Sequence, residues 1–394
     1  MNDFTIVIPS YWSRPEGAKE SAEETVFDHP IPLDCSGTLG RLLDSLDIFD
    51  RVPGRIVIVA VAGEQAVAAA VEDKIKQIIA PCCNRYDIIT LGQNGVGKIR
   101  SKLAGLGVSA RALAMVNLDN YAAVRNICSL AGILEGSPCT VFIDDDEVFT
   151  DRDFFRKISE SMGRSFAGEA VAALAGYYLQ PDTYRLDESK VPAWRLPYWN
   201  NAGAMNQAFD LYIGQGERIK PTPFVFGGNM ALALDALKRV PFDPKITRGE
   251  DIDFLLNLRV NGIKFYLDRK LAIKHLPPGS AQKDWRKLRE DAVRFLYERK
   301  KVMDHHELSL DELQPYPGLF LGDDLEERIT KTAGLLKREY ERQDDEQGVR
   351  ECSKIVMMAQ ENPFERFDTK AWLDQITAAW QQVTAGSAGL GFPE

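Results

Sequence analysis

At 394 residues the chain has room for two to three domains, or one large domain with an extension, and for a core that needs no disulfide or metal staples. It is 45% hydrophobic and 27% charged, which excludes disordered and fibrous classes, and its formal net charge of −10 argues against a nucleic-acid partner. Four histidines and six cysteines leave little for a His- or Cys-rich metal centre, so a metal here would sit mainly on carboxylates.

In chain order, Phe4–Pro9 reads as a buried strand, Thr38–Leu46 as a helix and Ile56–Ala62 as a second buried strand. Gln65–Ile79 follows as a helix and Tyr86–Leu91 as a strand. Asn120–Leu134 is an amphipathic helix, with Val124, Ile127, Cys128, Ala131 and Leu134 on one face, and Thr140–Ile143 is the next strand. Strand–helix alternation of this kind predicts an α/β, Rossmann-like, mostly parallel sheet covered on both faces. Val171–Leu179 predicts a strand, and Pro181–Pro223 an aromatic loop. Helices over Ala231–Arg239 and Glu250–Asn261 and a strand over Lys264–Leu267 complete this part. After Pro277-Pro278-Gly279 the chain is charged and helix-like to its end. The expected division is an α/β domain over 1–280 and a helical extension over 281–394.

The cysteines form no C-x-x-C pair and no zinc-like spacing, so they read as reduced thiols. No basic region precedes the first strand and no apolar run approaches the ~20 residues of a membrane span, so a cytoplasmic protein without a transmembrane segment is expected.

The sharpest local feature is Asp144-Asp145-Asp146-Glu147 directly after the Thr140–Ile143 strand. Carboxylates crowded together repel unless a cation sits among them, and strand C-terminal ends are where open α/β sheets bind ligands. Hard oxygen ligands there suit Mg2+ or Mn2+, which share coordination with phosphates. Taken alone, the run also fits a solvated acidic turn. A second cluster, Arg248-Gly249-Glu250-Asp251-Ile252-Asp253, opens a helix, where acids also serve as capping groups. Gly227-Gly228-Asn229 stands about twenty residues upstream; paired glycines allow close backbone approach to a ligand.

In order, Ile6-Val7-Ile8-Pro9-Ser10-Tyr11, Val124-Arg125-Asn126, Phe142 to Asp146, Gly227 to Ala231, Gly249 to Asp253 and Lys274-His275 resemble the motifs of glycosyltransferase family 2 over roughly residues 4–280. The resemblance implies a GT-A fold and a metal-dependent hexosyltransferase, moving a sugar from a nucleotide-diphosphate donor to an unidentified acceptor hydroxyl with inversion. Carried over by residue, Asp144 and Asp146 correspond to the Asp-x-Asp pair, with Asp146 on the metal and Asp144 towards ribose or metal-bound water. His275 falls at a further metal-ligand position. Asp251 matches the catalytic base, oriented by Glu250 or Arg248. Pro9, Ser10, Tyr11, Arg125 and Asp145 belong to the donor pocket, and Lys98 and Arg100 are candidates to reach the donor's phosphates or nucleoside. Trp194, Trp199, Gly227, Gly228, Asn229 and Arg248 are candidates for the acceptor side. The sequence departs from the family in an insertion over 13–36, which includes Asp28-His29-Pro30 and Cys35, and in the length of the aromatic stretch.

Gly92-Gln93-Asn94-Gly95-Val96-Gly97-Lys98 satisfies part of a phosphate-loop pattern, but Ile99 stands where Ser or Thr is needed. His305-His306 reads as a surface or capping pair. Trp372, Ile376, Ala379, Trp380 and Val383 form a helical stripe, expected to pack on the α/β domain or to make a homodimer contact. A retaining GT-A transferase, a nucleotidyltransferase, a two-carboxylate glycosidase and a non-catalytic nucleotide-sugar-binding protein are the alternatives. Product anomer, pyrophosphate release, nucleotide independence and binding without turnover respectively identify them.

Overall fold

The computed structural model describes residues 4–17, 27, 30–166, 168–279 and 282–393. Eight strands run along one sheet: β1 (Phe4–Ser13), β2 (Gly54–Ala62), β3 (Ile88–Leu91), β4 (Cys139–Ile143), β5 (Ala173–Leu179), β6 (Ile219–Pro221), β7 (Asn229–Ala233) and β8 (Phe265–His275). Their order is β6-β8-β5-β7-β4-β1-β2-β3. The half β3-β2-β1-β4 is parallel throughout. β7 is antiparallel to both β4 and β5, whereas β5 and β8 are parallel. The short strands Ile31–Pro32 and Glu147–Val148 pair with β1 and β8.

The helices of at least seven residues are α1 (Leu39–Ser45), α2 (Ala68–Ile79), α3 (Gln93–Gly105), α4 (Tyr121–Glu135), α5 (Phe154–Ser161), α6 (Asn201–Tyr212), α7 (Glu250–Val260), α8 (Asp284–Asp304), α9 (Leu325–Arg342), α10 (Glu346–Glu361) and α11 (Thr369–Gly386). Strand side chains alternate between faces, so Ile6 and Ile8 of β1 join one buried cluster with Leu39, Val71 and Phe154, while Val7 joins another. The second cluster carries α3, α4, α7 and the C-terminal helices, through Leu103, Ile127, Leu255, Phe295, Leu336 and Trp380. The sheet is thus buried on both faces, and the C-terminal helices share its core.

Several expected elements differ. Residues 229–233 form β7, and the helix starts only at Leu234. β7 lies between two strands and its residues are almost fully buried, so its apolar run lacks the alternation that marks a half-exposed strand. β8 continues past Leu267, through an irregularity, to His275. The expected strand ends at Leu267, before the polar Asp268-Arg269-Lys270, but Asp268 is fully buried against Arg218, with N···O distances from 2.8 to 3.1 Å. The phosphate-loop-like run is the start of α3, where Val96, Ile99 and Leu103 bury one face despite Gly95 and Gly97. Of the insertion 13–36, residues 18–26 and Asp28-His29 lie outside the described residues.

The C-terminal stripe is used within the chain: Ile376, Ala379, Trp380 and Val383 are buried, and the Trp380 indole donates to the Leu237 carbonyl at 2.7 Å. His305 is buried and follows the last residue of α8, whereas the His306 side chain is exposed. All six cysteines are free thiols. Among the described residues no helix is long and apolar enough to cross a membrane.

Candidate active site

β1 connects outward to β2 and β3, while β4 lies on its other side, so the parallel half reverses direction of growth between β1 and β4. A crevice outside the carboxyl ends of strands at such a switch point is the usual ligand site of an open α/β sheet. Here it is a cavity of about 390 Å³. The chain crosses the switch point through one hydrogen-bond relay. The Trp12 indole donates to Ser10 Oγ at 2.9 Å, and Ser10 Oγ donates to Asp145 Oδ2 at 2.5 Å. Pro9 and Ser10 are buried below the cleft, and Tyr11 lines it, with its ring 4.6 Å from Phe27 and 5.3 Å from Tyr121.

Arg125 occupies the centre. Asn120 caps α4 by accepting from the Ala123 amide at 2.9 Å, and one turn later Arg125 emerges beneath the cleft, only 4% exposed. Its guanidinium lies 2.9 Å from Asp144 Oδ1 and 3.2 Å from Glu250 Oε1, joining the two acidic clusters. Asn126, beside it, instead exchanges hydrogen bonds with the backbone of Phe242 at 2.9 Å each.

The acids after β4 are placed by the Glu147–Val148 strand, whose pairing sets Glu147 opposite His275 of β8. Asp146 Oδ2 then lies 3.4 Å from His275 Nε2, while Asp146 Oδ1 is buried without a hydrogen-bond partner. The His275 ring stacks on Tyr178 at 4.5 Å. Burial pushes the carboxyl of Asp144 up, opposed by Arg125. It pushes Asp145 to about 7 against the Ser10 hydrogen bond, and raises Glu147 well above its ordinary range, with Asp144 and Asp146 adding to the effect. Among the described residues no group of three or more His, Cys, Asp or Glu is arranged to hold a metal ion. Asp146 and His275 nevertheless present two donor atoms to the same space. Two atoms 3.4 Å apart can share one ion about 2.1 Å from each, leaving further positions to phosphate and water, the usual arrangement of Mg2+.

Across the cleft, Gly249 adopts a φ of +75° and starts α7. Asp251 Oδ2 accepts from the Gly227 amide at 3.1 Å, and its Oδ1 from the Ile252 amide at 2.8 Å, which fixes the carboxylate at the helix N-terminus. Burial pushes Glu250 up to about 7, with Arg125 opposing. Gly228 donates to Tyr178 Oη at 2.9 Å. Asn229 binds the carbonyls of Tyr177 and Leu271 at 3.0 and 3.1 Å, so its amide is engaged in holding the strands together.

The structure therefore brings Tyr11, Arg125, Asp144, Asp145, Asp146, Gly227, Arg248, Glu250, Asp251 and His275 to one cleft. Lys98 and Arg100 are on α3 and do not line it; Lys98 faces a separate depression beside Phe392 and Pro393. Neither tryptophan of the acceptor set lines it either. Trp199 is fully buried between Phe295 and Phe320, with its indole 3.4 Å from Asp291, and Trp194 packs against Arg195. The aromatic segment lines the cleft instead through Leu186, Asn201, Met205 and Phe209, and Phe224, Val225 and Phe226, directly after it, continue the wall. Absent from the expected set were Asp291 and Arg294 of α8 and Tyr316, all cleft residues from beyond position 281. Asp291 accepts from Arg248 at 3.0 Å and Arg195 at 2.9 Å; burial opposes its ionisation, but these cations outweigh it and hold its carboxyl below the usual range. The isolated sequence signal was an acid and an arginine among the apolar positions of an otherwise amphipathic helix.

No family model matches this chain, and no curated protein matches it. Among solved structures it is similar to the mannosyltransferase PcManGT from Pyrobaculum calidifontis, in complex with GDP-Man and Mn2+. That match has 11% identity, covers 98% of this chain and 87% of that one, and has a TM-score of 0.46. A mycobacterial protein matches at 12% identity over 76% of this chain and 74% of its own, with a TM-score of 0.40. A197 from STIV matches at 11% identity over 71% of this chain and 97% of its own, with a TM-score of 0.28. With TM-scores below 0.5 in all three, the function rests on the cleft's own chemistry.

Proposed function

We propose that the chain is a glycosyltransferase of the GT-A type, which moves a sugar from a nucleotide-diphosphate donor to an acceptor hydroxyl with Asp251 as general base and inversion at the anomeric carbon. The observation that carries this reading is the meeting of the two acidic clusters around Arg125 at the β1/β4 switch point. One cluster suits a divalent cation shared with a diphosphate, and the other presents an oriented carboxylate across the cavity. The nucleoside is assigned to the Tyr11–Asp145 side, where Ser10 anchors the loop. Mn2+ or Mg2+, held by Asp146 and His275 with Asp144 towards its water, would neutralise the departing nucleoside diphosphate. Asp251 accepts the proton of the acceptor hydroxyl as it attacks; its two backbone hydrogen bonds keep the carboxylate aimed, and Glu250 shares Arg125 with Asp144. The apolar wall Phe209–Phe224–Phe226 excludes water beside the reacting centre.

A thermal-shift panel of UDP-, GDP-, ADP- and CDP-sugars with and without Mn2+ tests the donor, because a ligand of the native state raises stability by RT ln(1 + [L]/Kd). One nucleotide class should stand out with the metal. Asp251→Asn should keep that shift and lose transfer by about 10²–10⁴-fold, the span of general base catalysis. Absence of any nucleotide shift would sink the donor reading, and near-wild-type turnover by Asp251→Asn would remove the base. The anomeric configuration of the product checks inversion.

A further inference from the structure

Arg294 of α8 lines the cleft beside the loop that carries Asp251: a Cβ on Gly249 would lie 2.3 Å from Arg294 Nη1. The residue is only 7% exposed. Its Nε donates to Glu298 Oε1 at 2.7 Å, its one ion pair among the described residues. Its Nη2 is buried with no hydrogen-bond partner. An unbonded, desolvated guanidinium N–H is costly, and most such groups in native proteins find a protein, water or ligand partner; Glu298 Oε2, the other half of the same pair, is also buried and unbonded. Of the other cleft arginines, Arg125 bridges Asp144 and Glu250, though its Nη1 is likewise buried and unbonded, and Arg248 binds Asp291; Arg294 is the one whose ion pair points along its own helix, to Glu298, and not to a cleft acid. Burial also pushes Glu298 up to about 7 in spite of Arg294, so near neutral pH this carboxyl only partly balances the guanidinium.

We propose that Arg294 forms an oxyanion subsite on the acceptor side of the cleft, so that the acceptor is a hydroxyl compound bearing a carboxylate or a phosphate. Tyr316 lines the same end of the cavity, and its hydroxyl is a further donor type available to the anion. Guanidinium geometry suits both planar carboxylate and phosphate oxygens. The assignment of this end to the acceptor rests on the transferase reading, in which the donor takes the Asp144–Asp146 end; the anion subsite itself rests on Arg294.

Calorimetric titration of the full chain with glucose, glucuronate and glucose 6-phosphate separates the two, since these probes share a ring and differ at one carbon. The wild type should bind one of the charged sugars about ten- to a hundredfold more tightly than glucose, the value of a charge-assisted hydrogen bond, and the better of the two identifies the anion. Arg294→Gln should erase the preference, and Arg294→Lys should retain part of it, with melting curves of both variants confirming the fold. Equal or undetectable binding of all three sugars by the wild type overturns the subsite, as does a preference that survives in Arg294→Gln. The nucleotide-sugar panel run on Arg294→Gln keeps the readings apart: an unchanged nucleotide shift leaves the transferase standing whatever the sugars do, and a missing shift in both proteins removes the transferase without touching the anion result.

Discussion

Gly228 stands where two carboxylates leave no room for a side chain, since a Cβ there would lie 2.2 Å from Glu147 Oε1 and 2.6 Å from Asp144 Oδ2. Gly227 is held nearly as closely, with Arg125 Nη2 at 2.7 Å from its would-be Cβ. These glycines let the backbone come close to the acids and donate to Asp251 and Tyr178. Gly228→Ala must therefore push Asp144 or Glu147 aside, and overpacking of this kind costs about 1–3 kcal/mol. The expected outcome is a protein that still folds, with a lower Tm and a strongly weakened metal-dependent nucleotide shift. An unchanged shift in that variant would show that the position of Asp144 is irrelevant to the donor. At this scale much of the cleft was legible only from the motifs taken in order: either acidic run alone also fits a solvated turn or a helix cap. Trp194 and Trp199 were not, because a tryptophan signals burial as readily as ligand contact, and only the partner ring of Phe295, about a hundred residues away, decides which.

α8 delivers Asp291 and Arg294 to the cleft, and its position is fixed by a second set of charges about two turns further along. Lys301 is fully buried, with its ammonium 2.6 Å from Asp253 and 3.4 Å from Asp243, while the Tyr297 hydroxyl donates to Asp243 at 2.5 Å. Asp253 lies two residues after Asp251 on α7, so this network locks the helix of the proposed base to α8. Lys301→Met strands buried carboxylates, and breaking a buried pair in this way costs about 3–5 kcal/mol. The variant should melt far below wild type, and adding Asp253→Asn should recover part of the loss; a Tm within the error of wild type would refute the role of the pair. Glu298, on the same helix, makes a different prediction. Burial raises its folded carboxyl from 4.5 to about 7, so the native state holds a proton that the unfolded chain releases. Its contribution therefore falls as pH rises between about 4.5 and 7, by up to about 1.4 kcal/mol for each unit. Glu298→Gln, still able to accept from Arg294, should flatten this part of the stability–pH curve in urea titrations at pH 5, 6, 7 and 8. An identical slope in both proteins would refute the assignment. β1, β2 and β4 could be read from sequence because both faces are buried and their residues are mostly apolar, and the half-buried edge strand β3 through its β-branched Ile-Ile-Thr run. β7 and the second half of β8 could not, since one is apolar enough to pass for a helix start and the other continues through the polar Asp268-Arg269-Lys270, where Asp268 is buried against a half-buried Arg218.

On the scale of the whole molecule, the boundary near residue 280 separates a composition, whereas the core runs across it. Trp285, Phe295, Leu296 and Trp380 are packed in the same cluster as Val7, Phe142 and Leu255, and the Asp291–Arg248 pair closes one wall of the cleft. Each large apolar side chain returned to water forfeits about 1.5–3 kcal/mol, a few of which equal the whole stability of an ordinary domain. A chain ending at Gly279 would also expose the apolar surface now covered by α8 and α11, the latter packed on the short helices Ala110–Leu113 and Leu234–Arg239, a patch far larger than soluble monomers display. It should accordingly be insoluble, or lack a cooperative melting transition, and should bind neither nucleotide nor anionic sugar. Supplying residues 282–393 as a separate fragment should restore a single transition if the helices are an integral part of the α/β layer. A soluble 1–279 fragment that melts sharply and shows the nucleotide shift would make the C-terminal helices an independent unit. In that case Arg294 would be brought to an already competent donor site from outside, which is what a dispensable acceptor module would look like.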